Sequence, residues 1–374
     1  MSTKIWYGDT YALAFDAGAH AFVAGEIIHG ATSNATGTVR GWTVSGGDWG
    51  TSDAAGTVWI HTVAGTWAND ENIHDPSNNV IAVSAGTTTS KIGDVSAAGN
   101  WGGGAAAAAP VNGDDIHLED SNQSMLTGLD QSAVALASLN IAKSFTGVIG
   151  TASAYLQIGS VAVKIGYQYG PGEASGSGMI KLDLGSVTAA TVVVFDAGSS
   201  SDSTVPSILL KCANAATTLE VRKGEVGVAF YTGETSTLAT INSGFVDNVE
   251  SDAKIYIGAG VTLTTLTKKG GKCLLRCAAT TVNNYAGELT TEGAGAIATL
   301  NVKDGTVFSN SVGTITNCNI SSKGTVDFTR SAQARTVTTC KVDDEAAVKF
   351  DPNVITFTNK VISNNPVTLR ASAA

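Results

Sequence analysis

Apolar and polar residues alternate in short runs along the second half of this chain. From about residue 217 to 350 the runs restart roughly every 16 to 25 residues. Thr218-Leu219-Glu220-Val221-Arg222-Lys223-Gly224-Glu225-Val226 lines up with Thr299-Leu300-Asn301-Val302-Lys303-Asp304-Gly305-Thr306-Val307. The phrase returns as Asn317-Cys318-Asn319-Ile320-Ser321-Ser322-Lys323-Gly324-Thr325-Val326. Each copy reads as a short alternating strand, a polar turn with glycine, and a second short strand. The apolar phase position falls at Leu219, Ile241, Leu266, Val282, Leu300, Cys318 and Cys340. A unit this short cannot bury its own apolar face, so the copies must stack. Short strands with glycine corners and no intervening helices predict a parallel β-helix, or β-solenoid, over residues 114–358. Right-handed winding is expected, because parallel crossovers nearly always take that hand.

Leu136-Ala137-Ser138-Leu139-Asn140-Ile141 and Phe145-Thr146-Gly147-Val148-Ile149-Gly150 read as a first rung. Strands are expected to follow at 155–158, 161–165, 180–184, 191–195 and 208–210. The stretches 169–178 and 198–204 are long and glycine- or serine-rich enough to project from the stack. The tail, 359–374, loses the repeat and is expected to cap the stack or reach a neighbour, since an open end exposes strand edges.

Ahead of the repeats the pattern changes. Residues 1–18 read as an extended N-terminal arm, 19–85 as a small β barrel or sandwich module, and 86–113 as a Gly/Ala-rich linker closed by Pro110. Glycine and Asn/Asp supply the module's turns. It carries an internal echo: Phe22-Val23-Ala24-Gly25-Glu26-Ile27-Ile28 resembles Thr66-Trp67-Ala68-Asn69-Asp70-Glu71-Asn72-Ile73. The predicted fold class is all-β, a small N-terminal module followed by the solenoid.

Composition sharpens the division. The chain has 374 residues, 43 glycines and only 14% charged residues, against about 25% in ordinary soluble domains. Residues 1–120 hold 3 Lys/Arg and 13 Asp/Glu, and the remainder holds 19 of each, so the net charge of -10 sits in the first third. All six tryptophans and all five histidines lie there too. An acidic unit joined to a neutral one argues against a nucleic-acid partner, which needs a basic stripe. The longest bland run, Ala105 to Ala109, is too short to span a bilayer. Met1-Ser2-Thr3-Lys4-Ile5-Trp6 lacks an apolar secretory core, so assembly in a host cytoplasm is expected.

Candidate chemistry is sparse. Gly-x-Ser-x-Gly, His-Glu-x-x-His and Gly-Lys-Ser/Thr are all missing from the sequence, and every histidine lies outside the regular rungs. Paired carboxylates on one solenoid face would suit polysaccharide cleavage. The clusters are Asp114-Asp115 with Glu119-Asp120, and Asp343-Asp344-Glu345, both in turn-like positions. Asp114/Asp115 could also group oxygens for a hard cation. His29, His61 and His74 read as strand residues of the module. Cys318 and Cys340 read as core thiols, and Cys273-x-x-x-Cys277 as a buried pair or, less simply, a metal or disulfide pair. Tyr167, Tyr169, Trp42 and Trp49 are the aromatics placed to meet a glycan, with hairpin or core packing as the plainer role. No catalytic, cofactor-binding or metal-binding residue is assigned.

Two stretches carry a resemblance. Phe22-x-x-Gly25-Glu26-x-Ile28-x-Gly30-x-Thr32-Ser33-x-Ala35-Thr36-Gly37 and Val63-Ala64-Gly65-Thr66-Trp67-x-x-Asp70-Glu71-x-Ile73 resemble a small β module of tailed-bacteriophage virion proteins. Gly128-Leu129-Asp130-Gln131-Ser132-x-Val134-x-Leu136-x-Ser138-Leu139-Asn140-Ile141 is similar to the start of solenoid domains in phage and prophage proteins. The resemblance brings no catalytic residues. It implies a non-enzymatic virion protein: a head decoration or cement protein on the major capsid protein, expected as a homotrimer, or a tail fibre or spike binding host glycan. A polysaccharide-degrading solenoid enzyme is the third expectation.

Overall fold

The computed structural model describes residues 2–102, 108–168, 179–197, 204–244, 253–343, 345–362 and 368–371. It is all-β apart from two single-turn 3₁₀ segments, Trp49–Thr51 and Ala98–Asn100. A long parallel array holds most of the chain. From Ile180–Asp183 onward each strand pairs with the next strand but one, so the chain winds and two series of strands stack side by side.

The seven phase positions form one continuous inward column. Leu219, Ile241, Leu266, Val282, Leu300, Cys318 and Cys340 are register partners in turn, each at most 5% exposed. Val192, Val163, Leu139 and Ile116 extend the column toward the N-terminus. A second column runs Ile180, Ile208, Val226, Ile255, Cys273, Leu289, Val307, Val326 and Val348. Alternation places these residues inside because strand side chains change face at every residue. The residues between them face out. Thr218, Thr240, Thr265, Thr281 and Thr299 are successive partners in one outward file. Beside it Asn319 donates to Asn301 and Asn301 to Asn283, each at 2.8 Å, so polar side chains also bond rung to rung.

Three consecutive rungs break the apolar interior. Ser243, Lys268 and Asn284 are register partners at an inward site that Val302, Ile320 and Val342 fill further along. All three are fully buried. Each donates to a carbonyl in the turn of the following rung: Ser243 to Gly270, Lys268 to Ala286 and Asn284 to Asp304.

The expected N-terminal arm and linker are not separate pieces. Thr3–Trp6 pairs in parallel with Asp115–Leu118 and is itself a strand of the long array. Trp6 and Trp101 meet edge to face inside its core, 4.8 Å between centroids. Trp101–Gly102 pairs antiparallel with Ile5–Trp6. Val95, Ala97, Asn100 and Trp101 are buried, so the small residues of this stretch serve close packing rather than freedom; residues 103–107 lie outside the described residues. Tyr11–Gly18 belongs to the small antiparallel sheet, pairing with Ala54–Ala64 on one side and Val80–Ser84 on the other. The chain thus starts in the long array, crosses to the small sheet, and returns.

The small sheet packs Phe15, Phe22, Ile28, Val58, Ile60, Trp67 and Ile73. Its internal echo is physical. Phe22 and Trp67 are buried, as are Ile28 and Ile73. Between them the Val23 N–H donates to Glu26 Oε1 (2.6 Å) and the Ala68 N–H to Glu71 Oε1 (2.7 Å). Gly25 and Asp70 both take positive φ, 86° and 56°, in these matching turns.

Candidate functional site

Strands of the long array normally bury alternate residues. Ile180–Asp183, Ile208–Lys211 and Glu225–Val228 instead bury three consecutive positions each. Their outer face is covered. Lys181 and Leu209, outward-facing register partners, are 4% and 0% exposed. The cover is the turn after Val228. Ala229 takes φ of 43°, and Phe230 folds back over Gly227, where a Cβ would stand only 2.9 Å from both Leu209 Cδ2 and Phe230 Cβ. The Tyr231 N–H donates to Glu234 Oε2 at 3.0 Å. Phe230-Tyr231-Thr232-Gly233-Glu234 thereby repeats the aromatic-x-x-Gly/Asp-Glu turn of the small sheet, with Gly233 at φ 89°.

Around this turn gathers an aromatic and ionic cluster. Phe230 meets Tyr231 and Tyr256 edge to face at 5.3 and 5.8 Å. Lys181 Nζ lies over the Tyr155 and Tyr231 rings, at 5.9 and 5.5 Å, and Lys211 Nζ lies 4.6 Å over Tyr155. Lys211 also pairs with Asp183 at 3.2 Å. Lys181 donates to the Ala152 carbonyl at 2.9 Å, and its pKa is lowered by burial despite the nearby Glu234 charge. Among the described residues the Tyr155 hydroxyl is buried without a well-placed hydrogen-bond partner; burial, then the facing Glu234 carboxylate, raises its pKa strongly. Tyr231 is 39% exposed and presents its ring outward. Flat rings beside ammonium and carboxylate groups can stack on a sugar and hydrogen-bond its hydroxyls.

The residues singled out from sequence lie elsewhere and do not converge. Asp114 is buried and accepts from the Ser2 hydroxyl, the Ser2 N–H and the Val111 N–H. Burial alone would raise its pKa, but these bonds and Lys4 outweigh it and lower it. Its oxygens are used by the chain itself. Asp115 accepts from Ser138. Glu119 receives the Tyr167 hydroxyl at 2.5 Å and lies 2.8 Å from His117 Nδ1. Residues 169–178, 198–203 and Asp344 lie outside the described residues. Trp42 and Trp49 are half-buried against the small sheet's core, Trp49 stacked on Phe15 at 5.4 Å. His29 and His74 meet edge to face beside Asn78. The five cysteines are free thiols. Burial pushes Cys273 and Cys277 up to about 12, which opposes thiolate ligation. Among the described residues no three His, Cys, Asp or Glu side chains stand together as a metal site. A shallow open cleft lies between Phe145, Gly147, Ile180 and Asp196, with Asp196 ion-paired to Lys143 and Lys223 at its rim.

The aromatic cluster was missed because its members are scattered from Tyr155 to Tyr256. One signal was legible: Ile208-Leu209-Leu210 is an unbroken apolar run, which an array with one wet face does not require. Comparison with family models, with curated proteins and with solved structures finds no match to this chain.

Proposed function

We propose that this chain is a non-enzymatic structural protein of a tailed-bacteriophage virion, acting as a decoration or cement protein on the outside of the head. The observation that supports the role is the interlock of the two β units. Thr3–Trp6 is stitched into the long array before the chain enters the small sheet, and Trp101–Gly102 returns beside it, so the acidic unit is fastened at both of its ends. A stiff neutral shaft with an anchored acidic head suits a load-bearing clamp on a basic capsid surface. The phage assignment itself rests on the stretches beginning at Phe22, Val63 and Gly128. In this reading the winding is a right-handed β-helix, the partners are the major capsid protein and two further copies in a homotrimer, and neither nucleic acid nor membrane is bound. Co-sedimentation with DNA-filled heads tests it. Saturable binding at high copy number, with added resistance to heat, is the expected result; binding to tails alone would overturn it.

The second reading, a fibre or spike that binds host glycan, is favoured by the Tyr155–Tyr231 cluster. Its test is glycan-array binding that Tyr231→Ala weakens by about tenfold, the loss of about 1.4 kcal/mol.

A further inference from the structure

Lys268 and Asn284 are the two most unusual residues of the interior. They are direct register partners on adjacent parallel strands, and both point inward. Neither is exposed to water. The backbones of paired strands run about 4.8 Å apart, so the lysine side chain spans the gap with length to spare. Among the described residues Lys268 has one hydrogen-bond acceptor, the Ala286 carbonyl at 2.6 Å, two residues beyond Asn284. Asn284 Nδ2 donates to the Asp304 carbonyl at 3.0 Å, and its Oδ1 has no partner among the described residues. A buried ammonium with one acceptor is poorly satisfied. Burial lowers the Lys268 pKa to about 8, so the neutral amine forms far more readily than in an exposed lysine. A neutral amine carries the lone pair that a nucleophile needs.

We propose that Lys268 and Asn284 form an intramolecular isopeptide bond that ties two rungs of the array together. Lys268 Nζ attacks Asn284 Cγ. The Nζ–Cγ bond forms, the Cγ–Nδ2 bond breaks, and Nδ2 leaves as ammonia carrying one proton from the amine. No oxidant and no co-reactant are consumed. Desolvation favours the step twice: it removes the hydration shell of the amine, and it keeps out water that would hydrolyse the intermediate. The product also relieves the interior of a group that is costly to bury in its charged form.

The experiment is intact mass spectrometry of the purified full chain, followed by protease digestion. The expected mass is below the sequence mass by one ammonia. Digestion should give a branched peptide joining the Lys268 and Asn284 segments. Lys268→Met and Asn284→Ala should each abolish the branch. Wild-type protein that keeps its full mass after prolonged incubation would overturn the proposal, as would ammonia loss without a branched peptide. Titration supplies a readout that does not need the variants to fold. A free Lys268, with its pKa depressed from 10.5 to about 8, makes stability rise as pH climbs from about 8 to 10.5. A cross-linked Lys268 no longer titrates and removes that rise.

Discussion

At the scale of single residues, Glu71 shows how a buried charge becomes an organising centre. Its Oε1 accepts from the Ala68 N–H and the Ser33 hydroxyl; its Oε2 accepts from the Thr32 and Ser33 N–H groups. Burial would raise its pKa, but the bonds from Ser33, Ala68 and Thr32 prevail and lower it below 4.5. A carboxylate is required here, because both oxygens face only donors. Glu71→Gln must turn its NH₂ toward N–H or O–H donors whichever way the amide lies. The expected loss is about 3 kcal/mol, the scale of breaking charge-assisted bonds and stranding buried donors. The sign of the pH effect follows from the depressed pKa. The Glu71 contribution is complete above pH 4.5 and is lost as pH falls through the folded-state value. Urea unfolding followed by tryptophan fluorescence, repeated at descending pH, checks both statements: wild type should weaken with acid and the variant should change less. The sequence announced this site as an echo of Phe22–Glu26, but gave no sign that Glu71 alone also gathers Thr32 and Ser33. Those contacts join segments nearly forty residues apart, and only the folded sheet brings them together.

Among the elements, the rungs were the most legible part of the chain. Period and phase located the inward column from Leu219 to Cys340 because a one-residue slip would turn every side chain outward. The turns between strands were legible for the same reason. Gly305 has φ of 73°, and a Cβ there would collide with the backbone of the preceding turn at Gly287. Gly305→Ala should therefore destabilise by about 2 kcal/mol, measured as a fall in thermal midpoint. The three-rung polar interruption was harder to read. Ser243, Lys268 and Asn284 occur where the alternation calls for apolar residues, and a lysine in that phase looks like a surface residue until the register shows it facing in. The covered outer face was harder still. It depends on the Phe230 turn folding over Gly227, a contact between a strand and its own exit loop. Gly227→Val should lift that turn, at a cost of about 2 kcal/mol from overpacking. It should also make Lys181 accessible, seen as faster amine labelling with an acylating reagent. Unchanged labelling with unchanged stability would show that the turn does not seal the face.

For the whole molecule, the decisive fact is that the chain passes from the long array into the small sheet and back, so the segments at both ends of the small sheet are strands of the array. Composition separated an acidic N-terminal third from a neutral remainder. Charge and tryptophan content record what the surfaces and cores are made of, but not which sheet a given strand joins. Thr3–Trp6 is four residues long, alternates exposed and buried, and pairs with a strand more than a hundred positions away. No local pattern can supply that partner. The arrangement leads to a prediction about assembly. Thr3–Trp6 covers the edge of Asp115–Leu118, and Trp6 fills the core over Leu118 while its indole N–H donates to the Gln123 carbonyl. Deleting residues 2–6 should uncover a row of backbone N–H and C=O groups flanked by Ile116 and Leu118. Such an edge recruits strands from other molecules. The shortened chain is therefore expected to keep its far-ultraviolet β signal yet associate with rising concentration, as read by light scattering after size exclusion. Replacing Trp6 alone with Ala keeps the strand's backbone and should destabilise by about 3 to 5 kcal/mol without the same association, because the edge stays covered while the core loses a large side chain. If both proteins associated equally, the loss of packing rather than the bare edge would be the cause, and the strand would be a plug for the core rather than a cap for the sheet.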